Sequence, residues 1–381
     1  MQQGDWQGPV PQAAFSDIFP SPAPLRLLVF ADMYGASQAI AFVEGLAGAR
    51  GRGEAAVRIV EEQALDAGAS AGAIDALFEE TAPTVVVLSR FGLAGACEAV
   101  QAAAAARGLP LLFHIDDDLL DLPVTAGVDR YRAARHPRRV HVQLRALNQA
   151  DLVVAATEPL ARRLAPAIGH GRIGWLENGT AGAPPPSRPA RTAGGPVVIG
   201  YMGSASHGPD LELAAPALNA LLADTPGVRL ELFGSISRQP AADLLPGSVV
   251  RRDVVAGDYA TFRRTLAQLD WDVGLAPLRA SPYNRCKTAT KWAEYAEAGI
   301  AVAASDMEVY RPMIAAGAAA PALPGQWEHV LRRLVADPAL RQGLVETADG
   351  LLRARYGWAR LEAGLLALIA RCTAAGARAA A

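Results

Sequence analysis

Three charged residues in the second half of the chain carry the strongest chemical signal. Lys287, Lys291 and Glu294 are spaced i, i+4 and i+7, so a helix would place them on one face. Two cations and a carboxylate at the C-terminal edge of a parallel sheet suit a phosphorylated ligand rich in hydroxyl groups. The lysines would neutralise a diphosphate, and the glutamate would accept hydrogen bonds from sugar hydroxyls. The alternative is a solvated helix face whose Lys–Glu pair is worth about 0.2–0.5 kcal/mol.

A turn rich in glycine and serine is the second candidate. The stretch IGYMGSASHGPDLEL (199–213) predicts a strand, a turn and the start of a helix. Gly203 and Ser204 can offer backbone and hydroxyl donors to a phosphate, and His207 can offer an imidazole. An ordinary strand–helix turn is the alternative. No Lys–Ser/Thr pair follows, so the turn is not a P-loop.

An acidic cluster is the third candidate. In HIDDDLLDLP (114–123), three consecutive carboxylates repel one another unless they bind a metal, a cation or hydroxyl groups. The alternative is an acidic first turn of a helix, which the helix dipole favours. We predict that at least one of Asp116–Asp118 belongs to a site, and we take His114, Asp116 and Asp117 as the candidate catalytic residues. The sequence offers no obvious partner ligands, so no metal site is predicted.

The elements that must position these residues follow from the apolar pattern. Short apolar runs alternate with stretches suited to helices, which predicts parallel sheets with crossover helices. The predicted strands are 25–32, 57–62, 84–90, 110–116, 151–157 and 172–178, then 197–204, 228–235, 248–253, 271–278 and 300–306. Residues 326–372 are helical by period. The predicted class is α/β, with two Rossmann-like doubly wound domains that face a central cleft.

Domain boundaries follow from length and from proline and glycine density. A chain of 381 residues is long for one core, so two domains are expected. We predict a disordered tail (1–24), an N-terminal domain (25–180), a Pro/Gly-rich linker (181–196) and a C-terminal domain (197–355). A C-terminal helix (356–381) could pack back on the N-terminal domain.

Bulk composition excludes several classes of protein. The net charge of −2 provides no basic field for nucleic acid. Three separated cysteines fit a reducing cytosol better than disulfides or a metal site. No apolar run approaches the roughly 20 residues of a membrane span, and residues 1–24 lack the features of a signal peptide. A cytoplasmic location is predicted, and peripheral contact with the inner face of the membrane stays open.

The segment from Asp272 to Asp306 resembles a known signature. DVGLAPL…SPYNRCKTATKWAEYAEAGIAVAASD is similar to the pattern D-x-x-x-x-P-L…P-F-N…K-S…K-x-x-E-Y-x-x-x-G-x-P-V-V-x-S of the bacterial family-4-type glycosyltransferases, which have the GT-B fold. The stretches IGYMGSASHGPDLE, FHIDDDLLDLP and WLENGT also resemble segments of such enzymes. The likeness covers roughly residues 25–370.

The resemblance implies a glycosyltransferase that makes a polysaccharide or cell-envelope glycan with retention of configuration. A nucleotide-diphosphate sugar would bind mainly to the C-terminal domain, and a carbohydrate or lipid-linked acceptor mainly to the N-terminal domain. Glu294 matches the glutamate that holds the ribose, Lys287 and Lys291 match basic positions near the diphosphate, and Asn284 lies in the matched P-F-N element. The donor is a substrate, so no separate cofactor is expected.

Two departures from the family pattern keep other functions open. Cys286 stands where the first glutamate of the family's Glu-x7-Glu motif contacts the donor sugar. Met202–His207 replaces the usual Arg and Lys after the first strand of the C-terminal domain, and Arg263 could supply a substitute cation. One alternative is a nucleotide-sugar epimerase that uses His114, Asp116 and His207 as acids and bases. The other is a non-catalytic domain of the same fold that binds glycans or partner proteins.

Overall fold

Two six-stranded parallel sheets form the framework of the protein. The computed structural model describes residues 23–65, 71–124, 128–179, 195–253 and 258–379. These ranges leave out most of the predicted tail and most of the predicted linker, so both of these predictions lie largely outside the described residues. The α/β class and the two doubly wound sheets expected from the sequence are confirmed.

The first sheet has the strand order β2-β1-β3-β4-β5-β6. Its strands are mostly apolar because helices cover both faces of the sheet; β3, for example, is buried at every position. The strands are β1 (Leu25–Ala31), β2 (Ala55–Glu61), β3 (Val85–Ser89), β4 (Leu111–Ile115), β5 (Leu152–Ala155) and β6 (Ile173–Trp175).

The second sheet has the order β12-β11-β10-β7-β8-β9. Its strands are β7 (Val197–Met202), β8 (Val228–Phe233), β9 (Val250–Arg252), β10 (Val273–Ala276), β11 (Ala301–Ser305) and β12 (Ala320–Ala322). The sequence prediction missed β12. This edge strand has only three residues, and one of them is Pro321, which is tolerated at an edge but weakens the strand signal.

Fifteen α-helices surround the sheets within the described ranges. They are α1 (Ala36–Gln38), α2 (Ala47–Gly51), α3 (Ala71–Thr81), α4 (Ala96–Ala106), α5 (Val128–Ala134), α6 (Pro137–Gln149), α7 (Glu158–Leu164), α8 (Gly208–Asp224), α9 (Tyr259–Gln268), α10 (Pro282–Arg285), α11 (Thr290–Glu297), α12 (Arg311–Ala315), α13 (Trp327–Ala336), α14 (Pro338–Leu351) and α15 (Trp358–Ala379).

The C-terminal helix α15 belongs to the core of the first domain. Leu365, Leu368 and Ile369 are buried in one apolar cluster with Leu27 and Val29 of β1. The helix therefore crosses from the end of the second domain and covers one face of the first sheet.

Each sheet has one point where the strand order reverses. In the first sheet this point lies between β1 and β3, and in the second it lies between β7 and β10. Ligands of open parallel sheets bind in the crevice beyond the carboxyl ends of such strands. The two crevices are therefore where the predicted site residues should be sought.

Candidate functional site

The segment with the two lysines folds differently from the single helix that their spacing suggested. Ser281 caps the short helix α10 by accepting a hydrogen bond from Asn284 N at 3.0 Å, and that helix ends at Arg285. Helix α11 begins only at Thr290. Lys287 therefore lies in the connecting loop, and the prediction that it shares a helix face with Lys291 and Glu294 is wrong.

Lys291 holds its ammonium group at the end of β7. Its Nζ donates to Met202 O at 2.8 Å and lies 4.2 Å from the centroid of the Tyr201 ring. Burial lowers the pKa of Lys291 to about 8, so the side chain is still largely charged at neutral pH. Among the described residues no carboxylate lies within 4.0 Å of this ammonium. A half-buried cation with a carbonyl and a ring for partners retains the capacity to bind an anion.

Glu294 lies one helical turn after Lys291. Its Oε1 accepts a hydrogen bond from the Tyr259 hydroxyl at 2.9 Å. Burial raises the pKa of Glu294 to about 7. The carboxylate is thus fixed by a phenol and close to its titration point at neutral pH, which suits an acceptor of ligand hydroxyl groups.

A cavity of about 180 Å³ opens beside the start of α8. Ser206, His207, Asn284 and Lys287 line it, and Pro123 contributes from the first domain. His207, Asn284 and Lys287, which sequence patterns singled out separately, therefore meet at one cavity.

Asp210 anchors the cavity wall, and no sequence signal distinguished it from a helix-start carboxylate. Its Oδ2 lies 3.0 Å from His207 Nδ1, and its Oδ1 accepts the backbone N–H of Arg279 at 2.9 Å. Only 8% of its side chain is exposed. Burial and the neighbouring lysines lower the pKa of His207 to about 4, while hydrogen bonds from His207 and Arg279 lower the pKa of Asp210 in spite of its burial. The pair is therefore a neutral imidazole on a carboxylate.

The glycine–serine turn contributes less than expected. The backbone N–H of Gly203 donates to Phe233 O at 3.0 Å, so it is not available to a phosphate as the sequence had suggested. The hydroxyl of Ser204 is exposed and lies 2.9 Å from that of Ser206. Ser204 thus offers an exposed hydroxyl, whereas Gly203 joins the backbone pairing at the ends of β7 and β8.

The three consecutive carboxylates each meet a different cation. Asp117 Oδ1 lies 3.6 Å from Lys287 Nζ of the second domain, and Asp118 pairs with Arg163. Asp116 accepts from Arg90 at 3.3 Å and from the Ser37 hydroxyl. Their mutual repulsion is thus relieved by basic side chains, and no cluster with metal-ligand geometry occurs in the described ranges.

Arg90 is the residue of the first crevice that the sequence did not reveal. It follows β3, has a positive φ of 53°, and bridges Asp116 to Asp32, which accepts from its Nε at 3.1 Å. Such a backbone conformation costs on the order of 1–3 kcal/mol and occurs where the surroundings enforce it. The only sequence signal was a single arginine at the end of an apolar strand.

His114 lies behind the first crevice. Its side chain sits between Ser89, whose Oγ is 2.9 Å from Nδ1, and the ring of Phe42 at 5.1 Å. The residue is 5% exposed, and burial lowers its pKa to about 4. His114 is therefore a neutral residue of the interior, and its proposed catalytic role, like that of Asp116 and Asp117, stays a prediction.

Cys286 and Arg263, which the sequence analysis considered for the donor site, both contact residues of the first domain. Cys286 is 3% exposed, packs into the core cluster of the first domain, and its carbonyl accepts from Thr157 Oγ1 at 2.8 Å. Arg263 pairs with Glu297 and with Glu44 of the first domain, the latter at 3.2 Å. Arg263 is thus not directed at the lysines, and the expectation that it supplies a substitute cation there is wrong.

Comparisons with known proteins bear on the fold. No protein-family model matches the chain, and no curated protein matches its sequence. Anabaena Alr3699/HepE in complex with UDP aligns over 91% of this chain and 100% of its own, at 12% identity and a TM-score of 0.62. An α,α-trehalose-phosphate synthase (UDP-forming) from Burkholderia vietnamiensis covers 92% of this chain and 98% of its own, at 12% identity and a TM-score of 0.60.

A third similar structure carries a different assignment. A proposed UDP-N-acetylglucosamine 2-epimerase from Listeria monocytogenes covers 91% of this chain and 95% of its own, at 12% identity and a TM-score of 0.53. At these identities the likeness establishes the architecture, and the chain has the GT-B fold. No helix in the described ranges combines the length and apolar character needed to span a membrane.

Proposed function

We propose that the protein is a glycosyltransferase that takes a sugar from a nucleotide-diphosphate donor. The observation that carries the proposal is Lys291, a half-buried ammonium at the reversal point of the second sheet without a carboxylate partner among the described residues. Glu294 follows one turn later on the same helix, so a carboxylate that can accept ribose hydroxyls lies beside the cation.

Lys287 and the cavity extend this site toward the first domain. Lys287 lies between the cavity and Asp117, so a bound diphosphate would compete with Asp117 for its ammonium. The acceptor would then approach from the side of Asp116 and Asp117. Retention of configuration, as implied by the sequence resemblance, is part of the proposal. So are a carbohydrate or lipid-linked acceptor and a role in polysaccharide or cell-envelope synthesis at the inner face of the membrane.

Uridine diphosphate sugars are the first donors to test. HepE is in complex with UDP and the trehalose-phosphate synthase is UDP-forming, and both have the fold of this chain. We expect UDP-, GDP- or TDP-sugars to raise the melting temperature of the full chain, because a ligand that binds only the native state stabilises it. CMP-sugars are the matched control, since they carry one phosphate. The absence of any shift with all three diphosphate sugars would contradict the proposal.

An epimerase is the second candidate, and the His207–Asp210 pair beside the cavity favours it. A neutral imidazole on a buried carboxylate can accept a proton from a sugar carbon or hydroxyl. Product analysis separates the two activities. A new glycosidic bond in the presence of acceptor supports the transferase, whereas a changed epimer without acceptor supports the epimerase.

A further inference from the structure

The His207–Asp210 pair lines the same cavity as Lys287. His207 Nδ1 is 3.0 Å from a carboxylate oxygen, so Nδ1 carries the proton and donates it to Asp210. No residue of the described ranges makes a hydrogen bond to Nε2, and His207 is part of the cavity wall. Nε2 is therefore the nitrogen that a ligand in the cavity would meet.

Charged groups surround this imidazole on every packed element. Lys291 of α11 and Lys287 of the preceding loop repel a proton on it, and Asp210 attracts one. Arg279 is neutralised by Glu212, with 2.6 Å between their closest atoms. The Tyr201 hydroxyl donates to the His207 carbonyl at 3.1 Å and is uncharged. In the free protein the two lysines and the burial of the ring keep His207 neutral.

We propose that His207 completes the diphosphate site by taking up a proton on Nε2 when the ligand binds and donating it in a hydrogen bond to a phosphate oxygen. Asp210 is the positioning residue, because it fixes Nδ1 as the second donor and stabilises the imidazolium. The proton comes from solvent and returns there when the ligand leaves. This inference rests on the proposed function, since it requires a diphosphate beside Lys287 and Lys291.

Electrostatics favours the uptake only in the complex. A diphosphate cancels the repulsion from the two lysines and adds negative charge of its own, and both changes favour the imidazolium. The 17-residue helix α8 begins at Gly208, directly after His207, and its N-terminal partial positive charge attracts the diphosphate and disfavours the imidazolium in the free protein. The site would thus gain an additional positive charge when the diphosphate binds.

The inference predicts a pH dependence with a defined sign. The complex holds one proton more than the free protein, so affinity falls as pH rises from the free pKa of about 4 toward the higher pKa of the complex. In that window the dissociation constant should increase by up to about tenfold per pH unit. Lys291, whose pKa is about 8, is protonated over most of this window. Glu294, whose pKa is about 7, titrates within it, so the pH dependence is also measured in a Glu294→Gln background.

Titration calorimetry of the full chain with UDP-glucose tests the inference. The diphosphate of UDP-glucose is a diester and exchanges no proton of its own near neutrality. Binding heats at pH 6.5 in two buffers of different ionisation enthalpy should give an uptake approaching one proton for the native chain and none for His207→Gln. Asp210→Asn should show the uptake only at lower pH. Glu294 could release a proton on binding, so the same comparison is made in a Glu294→Gln background.

Proton magnetic resonance of the ring gives a second readout. The chain has six histidines, and the His207→Gln spectrum assigns the His207 signal by difference. Saturation with UDP-glucose should move its titration midpoint from near 4 to above 6.5. Binding with no linked proton and an unmoved resonance would overturn this inference and leave the proposed function standing. If UDP-glucose did not bind at any pH, the proposal that the donor is a uridine diphosphate sugar would be contradicted, and this inference would be contradicted with it.

Discussion

The two crevices have the same topological origin and opposite electrostatic conditions. In the first, Arg90 lies between Asp32 and Asp116, so the buried cation is matched by carboxylates of the chain itself. In the second, Lys291 has a carbonyl and an aromatic ring as partners. In the first crevice the cation is neutralised by the protein's own carboxylates. In the second, the ammonium of Lys291 has no carboxylate within 4.0 Å among the described residues and can bind an anionic ligand. A cation without a carboxylate partner, at the point where the strand order reverses, therefore indicates a ligand site better than the number of charged residues in a crevice does.

The two histidines with a lowered pKa also differ in their surroundings. Burial lowers the pKa of both His114 and His207 to about 4. His114 is enclosed by Ser89 and Phe42, whereas His207 presents one nitrogen to a cavity. A shifted pKa therefore reports burial in both places, and only the surrounding geometry distinguishes an interior residue from a candidate for ligand binding.

The largest expected effect is on ligand affinity in the second crevice. The double variant Lys287→Met/Lys291→Met should weaken UDP-glucose binding about 150- to 25,000-fold, because each of the two charge-assisted contacts is worth about 1.5–3 kcal/mol. Calorimetry measures the change, and chemical unfolding should show no large loss of stability. Arg285→Met is the matched control: it lies on the same segment with 56% of its side chain exposed and should change affinity less than about twofold. An unchanged affinity in the double variant would remove the diphosphate assignment.

In the first crevice, removal of the cation should reduce stability. Arg90→Met should lower the free energy of unfolding by about 3–5 kcal/mol, because it leaves two partly buried carboxylates without their cation. Urea unfolding measures this, and Arg238→Met is the control. Arg238 is 72% exposed and pairs with Asp253 at the surface, so its loss should cost less than about 1 kcal/mol. If Arg90→Met were as stable as Arg238→Met, the two carboxylates would not need Arg90, and the proposed electrostatic difference between the two crevices would be wrong.

Glu294→Gln should weaken donor binding and, at high pH, increase the stability of the fold. Donor binding should weaken by about 1.5–3 kcal/mol, since a charged acceptor of ribose hydroxyls is lost. The pKa of Glu294 is higher in the folded protein, about 7, than its ordinary value of 4.5. The native state therefore binds more protons between these values, and its stability decreases as pH rises through them. The variant lacks this decrease and should be about 1–2 kcal/mol more stable than the native chain at pH 8.

Calorimetric affinity and urea unfolding at pH 5 and pH 8 provide the two measurements for Glu294→Gln. Glu308→Gln, an exposed carboxylate that pairs with Arg285 and Arg311, should change neither quantity appreciably. A variant that binds UDP-glucose as tightly as the native chain would exclude Glu294 from the ribose contact.

The smallest predicted effect distinguishes the two histidines. His114 has a pKa of about 4 in the folded protein, below its ordinary value of 6.5. The unfolded chain binds more protons in this window, so acidification from pH 7 to pH 5 should cost about 1–2 kcal/mol of stability through this residue. His114→Phe should remove that loss whether or not UDP-glucose is present, as measured by unfolding at both pH values. An equal pH dependence in the variant would show that His114 is not the buried neutral group.

Much of the fold could be predicted from the sequence because its signals are local. Uninterrupted apolar runs such as Val85–Ser89 are buried on both faces, and eleven of the twelve described strands were anticipated. The exception, Ala320–Ala322, is too short to produce a pattern. The same local reasoning identified Lys291 and Glu294, since a spacing within one helix is preserved when the helix forms.

Only the tertiary structure decided which charges are matched. Asp117 reaches Lys287 from the other domain, Arg90 joins two loops, and Asp210 supports His207 while it holds the Arg279 backbone. Even the position of Lys287 depended on where one helix ended and the next began. The physical reason is the sequence distance over which each property is determined. An apolar run that will become a buried strand is recognised from consecutive residues. Charge pairing and desolvation depend instead on loops that the fold brings together from distant parts of the chain.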